Sequence, residues 1–349
     1  MSLRDKHVLV TGGTGSLGNT IVRRMLALGS EAPRQITVFS RDEAKQHYMK
    51  VAYTSPKPGH NEAITLRGRE TLRFIIGNIR EYDSVCRALQ GVDIVVNAAA
   101  LKQVPSCEQY PYQAVQTNID GAQTLIRAIR DTARNVQQVV GISTDKACKP
   151  INVMGMTKAL MERLFIEANL QCINTKFTLV RYGNVIASRG SVVPLFEEQI
   201  KNGGPVTITT SDMTRFLLSL DQAVDTVFAA LEHGNPGETY VPQVDAARIT
   251  DLARVMIDGR DIPIVVTGIR PGEKIHEIMV SDEERYRTVE RNGYYAIQPM
   301  LNELLPIVVD NPVLKGEYSS ADTTLDDEAI RRLIRPIIQE GRFTMAAAA

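Results

Sequence analysis

HVLVTGGTGSLG, residues 7–18, is a short apolar run that ends in a cluster of glycines. The run reads as a buried strand. Asn19–Leu28 follows with apolar Ile21, Val22, Met25 and Leu26 at helical spacing, and Gly29 suits the C-cap. Glycines at 12, 15 and 18 thus stand between a strand and a helix, where a tight turn, the approach of a phosphate and helix packing each require one. In that context Gly12, Thr14, Gly15, Ser16, Leu17 and Gly18 offer backbone N–H groups and the positive end of a helix dipole to a dinucleotide pyrophosphate.

The alternation continues downstream. Strand readings fall on ITVFS (36–40), LRFIIG, DIVVNAAA and QVVGIS, and helix readings on Arg41–Tyr53, Ser84–Leu89 and Ala114–Arg130. Ser55–Glu70, with Pro56, Pro58, Gly59 and Gly68, reads as a surface loop without a functional account. Strand and helix in turn predict a doubly wound parallel sheet, which binds ligands beyond the carboxyl ends of its strands. After about residue 185 the strands shorten to VTITT, ETYVP and IPIVV, with Pro and Gly between them. The expectation is therefore a dinucleotide-binding domain over 1–185, to which the chain can cross back later. A smaller mixed α/β substrate-binding domain is expected mainly over 186–345.

The second strand ends at Ser40, Arg41 and Asp42. An acidic residue here would accept the ribose 2′-hydroxyl of NAD, whereas a guanidinium suits a 2′-phosphate. Ser40 and Arg41, with Lys45 one turn on, favour NADP; Asp42 keeps NAD as the alternative. Asn78 and Ile79, after the third strand, are placed to touch the adenine, and Ala98, Ala99 and Ala100 give a small-residue floor after the fourth.

The 349 residues carry 40 basic and 40 acidic groups, 44% hydrophobic residues and no Trp. That is a globular composition with enough chain for about two domains. Zero net charge speaks against nucleic acid or an anionic membrane as a partner of the whole surface. No apolar window is long enough to span a membrane, and MSLRDKHVLV lacks the apolar stretch of a signal peptide. Cys86, Cys107, Cys148 and Cys172 lie far apart and read as reduced thiols in the cytoplasm. No metal site is visible, and the five histidines form no ligand cluster.

STDKACKPINVMGMTK (143–158) follows the fifth strand. Thr144, Asp145 and Lys146 stand at its carboxyl end, facing the expected cleft. An Asp beside a Lys offers an acid and a base whose proton affinities shift through contact and burial. A short-chain dehydrogenase would follow with Tyr-x-x-x-Lys on a helix, the spacing that puts both side chains on one face. Lys158 fits, but Met154 stands where the Tyr would be, and a thioether cannot move a proton.

TGGTGSLG, FSRDE, NAAALKQVP, STDKACKPINVMGMTK, RYGNV, MTRF and RPGEK together cover most of residues 6–280, and YSSAD near 318 also fits. In these stretches the chain resembles the extended short-chain dehydrogenases/reductases, with their Rossmann-type sheet. Within them it resembles the UDP-N-acetylglucosamine 4,6-dehydratases of polysaccharide biosynthesis, in the branch with Met in place of Tyr, which includes enzymes that invert C5. The resemblance implies a cytoplasmic lyase, a hexamer or dimer, acting on a UDP-sugar with NADP. Lys146 would be the C5 base, Asp145 the acid for the leaving C6 hydroxyl and Thr144 the partner of O4. Lys158 would orient the nicotinamide ribose, and Met154 would supply shape alone. Lys102, Arg181, Asn184, Arg189, Arg215, Arg270, Glu273 and Lys274 would hold the substrate, since arginines suit a diphosphate and a carboxylate can hold ribose hydroxyls.

Two other readings compete. A UDP-sugar epimerase shares fold and cofactor but loses no water, and it would normally keep the Tyr; a bifunctional dehydratase/epimerase combines both. A non-catalytic dinucleotide sensor would tolerate Met154 but has no use for Thr144, Asp145, Lys146 and Lys158 together. On the leading reading, the neutral chain gathers Arg41, Lys45, Lys102, Lys146, Lys158, Arg181, Arg189, Arg215, Arg270 and Lys274 around one cleft.

Overall fold

Strand and helix alternate from the start: β1 (His7–Thr11), α1 (Ser16–Leu26), β2 (Gln35–Ser40), α2 (Glu43–Thr54), α3 (Glu62–Thr71), β3 (Leu72–Ile76), α4 (Tyr82–Ala88) and β4 (Ile94–Asn97). α5 (Val104–Gln109), α6 (Pro111–Ala114), α7 (Gly121–Thr132), β5 (Gln138–Ile142), α8 (Val153–Gln171) and β6 (Lys176–Val180) follow. These elements come from a computed structural model that describes residues 2–55, 62–186, 191–304 and 312–335.

Beyond β6 the chain forms β7 (Asn184–Val185), α9 (Val192–Lys201), β8 (Val206–Ile208), β9 (Thr214–Leu218), α10 (Leu220–His233) and β10 (Thr239–Pro242). β11 (Ala246–Arg248), α11 (Ile249–Ile257), β12 (Ile264–Val266), β13 (Ile278–Val280), α12 (Asp282–Arg285), β14 (Thr288–Arg291), β15 (Tyr294–Ile297) and β16 (Tyr318–Ser319) complete it.

Nine strands form the main sheet in the order β14-β15-β10-β6-β5-β4-β1-β2-β3. From β3 to β10 all neighbours are parallel, and β15 and β14 add an antiparallel edge. Strand residues alternate between two cores, one on each face. Val8, Val10, Val96 and Val140 pack with Ile21 and Met25 of α1 and Val224 and Val227 of α10. Leu9, Val95 and Val139 pack with Val85 of α4, Leu125 and Ile129 of α7 and Phe165 of α8. This is the expected Rossmann-type doubly wound sheet. Its strand order reverses at β1, between β2 and β4, and that reversal opens the crevice for ligands.

The chain after 186 divides its residues. α10, β10, β14 and β15 return to the main sheet, while three small sheets, β11-β9-β7, β12-β8 and β13-β16, form the second unit. Phe196 of α9, Val206 and Ile208 of β8, Leu252 and Met256 of α11, and Ile330 and Ile334 of a helix over 327–335 make its separate core.

Two local expectations are corrected. The stretch 55–70 is not wholly loop: α3 occupies Glu62–Thr71. Gly68, read as a loop signal, is a contact residue, because a Cβ there would clash with the Tyr53 carbonyl of α2. Pro56, Pro58 and Gly59 lie outside the described residues. The helix expected over 114–130 starts at Pro111 and widens into a π-turn at Val115–Asp120. Asn118 on that turn is buried. Its amide accepts from Leu101 N–H (2.9 Å) and donates to Leu101 O (3.0 Å) and Thr157 Oγ1 (2.9 Å), fastening the loop after β4 to α8.

Candidate active site

A cleft of about 1050 Å³ opens along the carboxyl ends of the strands, a volume at the top of the usual range for ligand sites. Gly12 to Gly18 floors one end. Gly12 has φ +63°, and a Cβ there would lie 2.8 Å from the backbone of Ala98 and Ala99. At Gly15 a Cβ would meet only the Gly12 carbonyl and otherwise project into open space. Gly12 thus lets the loop close on the Ala98–Ala99 backbone, and Gly15 leaves its side of the loop open. Thr11 Oγ1 donates to Asn97 Oδ1 (2.7 Å) and accepts from Ala99 N–H (3.2 Å), which sets the Ala98–Ala100 wall against it.

Ser40, Arg41, Asp42 and Lys45 line the cleft at the end of β2. Asp42 points its carboxylate back into its own helix: it caps α2 through Lys45 N–H (2.9 Å) and pairs with Lys45 Nζ at 2.5 Å. Ile79 lines the cleft after β3, but Asn78 does not. Its amide is engaged in the turn, accepting from Arg80 N–H and donating to Glu81.

At the other end Thr144, Lys146, Met154 and Lys158 line the wall. Asp145–Ala147 is a single 3₁₀ turn laid against the start of α8. It comes so close that a Cβ at Gly155 would clash with the Lys146 carbonyl. Asp145 is fully buried beneath this surface and does not line the cleft. Its Oδ1 accepts from Thr144 Oγ1 (2.8 Å) and Lys146 Nζ (3.1 Å), and its Oδ2 has no hydrogen-bond partner among the described residues. Lys146 Nζ also lies 3.3 Å from Glu277 Oε1. Burial works against the Lys146 charge, yet Asp145 and Glu277 outweigh it and hold its value above that of a free lysine. Lys146 is therefore an ammonium in the resting site.

Lys158 is the reverse case. Burial, opposed only by Glu162, pushes its value down to about 8, and its Nζ donates to Ile142 O at 2.5 Å. Met154, one turn earlier, is buried against Cys107 and Ala114.

The remaining wall comes from Tyr182–Val185, Ser191, Arg270, Pro271 and Glu273, with Lys102 opposite the glycine loop's end. Asn184 Oδ1 and Ser191 Oγ are buried at this wall without a hydrogen-bond partner among the described residues, as groups awaiting a ligand would be. Asn152 caps α8 through Gly155 N–H (2.8 Å) and donates to Gly272 O (2.7 Å), which holds the Arg270–Glu273 loop over the cleft.

Of the ten cations expected at one cleft, Arg41, Lys45, Lys102, Lys146, Lys158 and Arg270 line it. Three stand behind it. Arg181 is buried between two carboxylates, Glu162 (2.7 Å) and Glu284 (2.8 Å), and donates to Met279 O, so it is held away from any substrate. Arg215 donates to the carbonyls of Thr214, Lys274 and Ile275 and fastens that segment to β9. Lys274 donates to Cys148 O (2.6 Å). Arg189 lies outside the described residues. Sequence reasoning missed Glu277, four residues beyond Glu273; only its nearness to RPGEK marked it.

A family model described as polysaccharide biosynthesis protein matches residues 8–299. The chain belongs to that family. A UDP-glucose 4-epimerase of Rickettsia akari (strain Hartford) is 44% identical over 298 residues, 84% of this chain and 83% of its own. The solved structure of Pen from Bacillus thuringiensis superposes with TM-score 0.85 at 34% identity, covering 96% of this chain and 99% of that one. A dTDP-glucose 4,6-dehydratase from Streptomyces venezuelae, solved with NAD, superposes with TM-score 0.65 at 22% identity over 77% of this chain and 86% of that one, a likeness of fold. Among the described residues no helix is long and apolar enough to cross a membrane.

Proposed function

We propose that this member of the family is an NADP-dependent hydro-lyase that converts UDP-N-acetylglucosamine to a UDP-4-keto-6-deoxy-hexosamine. The observation that carries the reading is the Asp145–Lys146 pair, with Asp145 buried beneath Thr144 and Lys146 at the cleft wall and an inert Met154 on the same wall. A reaction that expels water needs an acid as well as a base at the sugar.

The cleft suits a nicotinamide dinucleotide: the glycine loop at the N-terminus of α1 would hold a pyrophosphate, and Lys158 lines the same cleft. Arg41 lines the cleft beside Asp42, whose carboxylate caps α2 and pairs with Lys45, and a guanidinium at that place supports NADP over NAD. Held by the glycine loop, Arg41 and Lys158, the nicotinamide would supply the hydride chemistry between sugar C4 and C6.

The residues of the chain move the protons. Thr144 Oγ1 takes the C4 hydroxyl proton as it passes its own to Asp145 Oδ1, the relay that replaces the missing Tyr. Lys146 begins as ammonium, so on this reading it takes over the acid role at the C6 hydroxyl that was expected of Asp145, as well as acting as the base at C5. In one step its proton passes to the C6 hydroxyl, which leaves as water, and the emerging amine takes the C5 proton, whose bonding pair forms the C5=C6 double bond. The proton stored on Asp145 then returns to C5 through Lys146, 3.1 Å away. The sum is the loss of one water, and the face of that return sets the C5 configuration. Asn184, Ser191, Arg270 and Glu273 hold the UDP-sugar.

The name of the Rickettsia relative favours a second reading, 4-epimerisation of a UDP-sugar. Incubation with UDP-N-acetylglucosamine and NADP, followed by mass spectrometry, separates the two. A product lighter by one water, absent with Lys146→Ala, supports the dehydratase; a product of unchanged mass supports the epimerase.

A further inference from the structure

We propose that Glu277 is a positioning residue for the reaction, a second carboxylate that grips Lys146 from outside the catalytic segment and fixes its amine at the cleft wall. The inference rests on the reading of Lys146 as the group that moves protons at the sugar. Glu277 is 2% exposed, and its Oε1 stands 3.3 Å from Lys146 Nζ. Its backbone is pinned on both sides: its N–H donates to Ser320 Oγ (2.9 Å) and its carbonyl accepts from Ser320 N–H (2.8 Å). The side chain is thus delivered to one place.

The other neighbours do not explain a carboxylate there. Arg215 Nε and Lys274 Nζ are each 4.0 Å away, and both cations already donate to main-chain carbonyls. His276 turns its Nδ1 to Thr214 Oγ1 (2.8 Å). Among the described residues Glu277 Oε2 has no hydrogen-bond partner, although a buried carboxylate left short of partners is costly. Lys146 therefore faces Asp145, Glu277 and, more distantly, the like charge of Arg215. With Asp145 alone, burial and Arg215 would oppose a single partner. With Glu277 the ammonium is held, and Asp145 is left free to receive the proton relayed by Thr144.

The test is the pH-dependent acetylation of Lys146 by acetic anhydride in the full-length enzyme, read by peptide mass spectrometry, because only the free amine reacts. In Glu277→Gln the amine should react roughly tenfold or more faster than in wild type at pH 8–9, one pKa unit being a tenfold change in free amine. In the same variant kcat should fall by roughly tenfold or more with the sugar-nucleotide KM nearly unchanged, and the alkaline limb of the kcat profile should move to lower pH. Glu277→Asp should recover part of each, and it carries the same labelling measurement if the Gln variant does not fold. Wild-type labelling and wild-type kcat in Glu277→Gln would overturn the proposal. A fully active Lys146→Ala would overturn it together with the reading of the site, whereas an inactive Lys146→Ala beside an unaffected Glu277→Gln would overturn the role of Glu277 alone.

Discussion

Replacing Arg181 by Met separates a structural arginine from a substrate arginine. The guanidinium is 3% exposed and gives two hydrogen bonds to Glu162, two to Glu284 and one to Met279 O. Burial alone would raise the Glu284 carboxyl, but Arg181 outweighs it and brings the value from 4.5 to about 2. A carboxylate shifted that far contributes roughly 3 kcal/mol at neutral pH. Its folded value lies below the ordinary one, so the contribution is full above about pH 4.5 and is lost as pH falls toward 2. Removing the cation also strands two buried carboxylates, a loss of roughly 3–5 kcal/mol for a broken buried pair. Urea unfolding at pH 7 should show a deficit of that size that narrows as pH falls, above pH 4.5 because the stranded carboxyls, raised by burial, take up protons early, and below it because wild type loses its own contribution. At a temperature where the variant is folded, the KM for the UDP-sugar should match wild type. Unchanged stability with a tenfold higher KM would refute the reasoning and return Arg181 to the substrate.

Lys158→Met should abolish turnover yet stabilise the chain. Lowering a lysine from 10.5 to about 8 costs roughly 3 kcal/mol while it is charged. That cost is full below pH 8 and gone above 10.5, so the gain in unfolding midpoint should be largest near neutrality. Arg41→Ala should weaken NADP binding by roughly tenfold or more and leave NAD nearly unaffected, measured by titration calorimetry. Met154→Leu, close in volume, should cost under roughly 1.5 kcal/mol of stability and leave kcat within severalfold, checked by unfolding and steady-state rates.

The sheet was legible because its signals are local. Short apolar runs, each followed by helical spacing, recur from His7 to Ile142 and need no long-range contact to be read. The glycine loop, the Ala98–Ala100 wall and the Thr144–Lys158 segment follow from their places at strand ends. What sequence could not supply was the choice between layers. Arg181 and Asn184 leave neighbouring positions after β6, yet one turns into a carboxylate pair and the other reaches the cleft. Gly68 looks like a loop residue until α3 is seen crossing α2 at that point. The Lys146 charge state likewise depends on Glu277, a residue 131 positions away that only the fold brings near.

The most direct test of the central claim is the reaction of UDP-N-acetylglucosamine in heavy water, read by mass spectrometry and proton NMR. The account predicts a product that has lost one water and carries deuterium at C5, because Lys146 exchanges its protons with solvent between removing one and returning another. A product of unchanged mass with no deuterium on carbon would contradict it and point to epimerisation at C4.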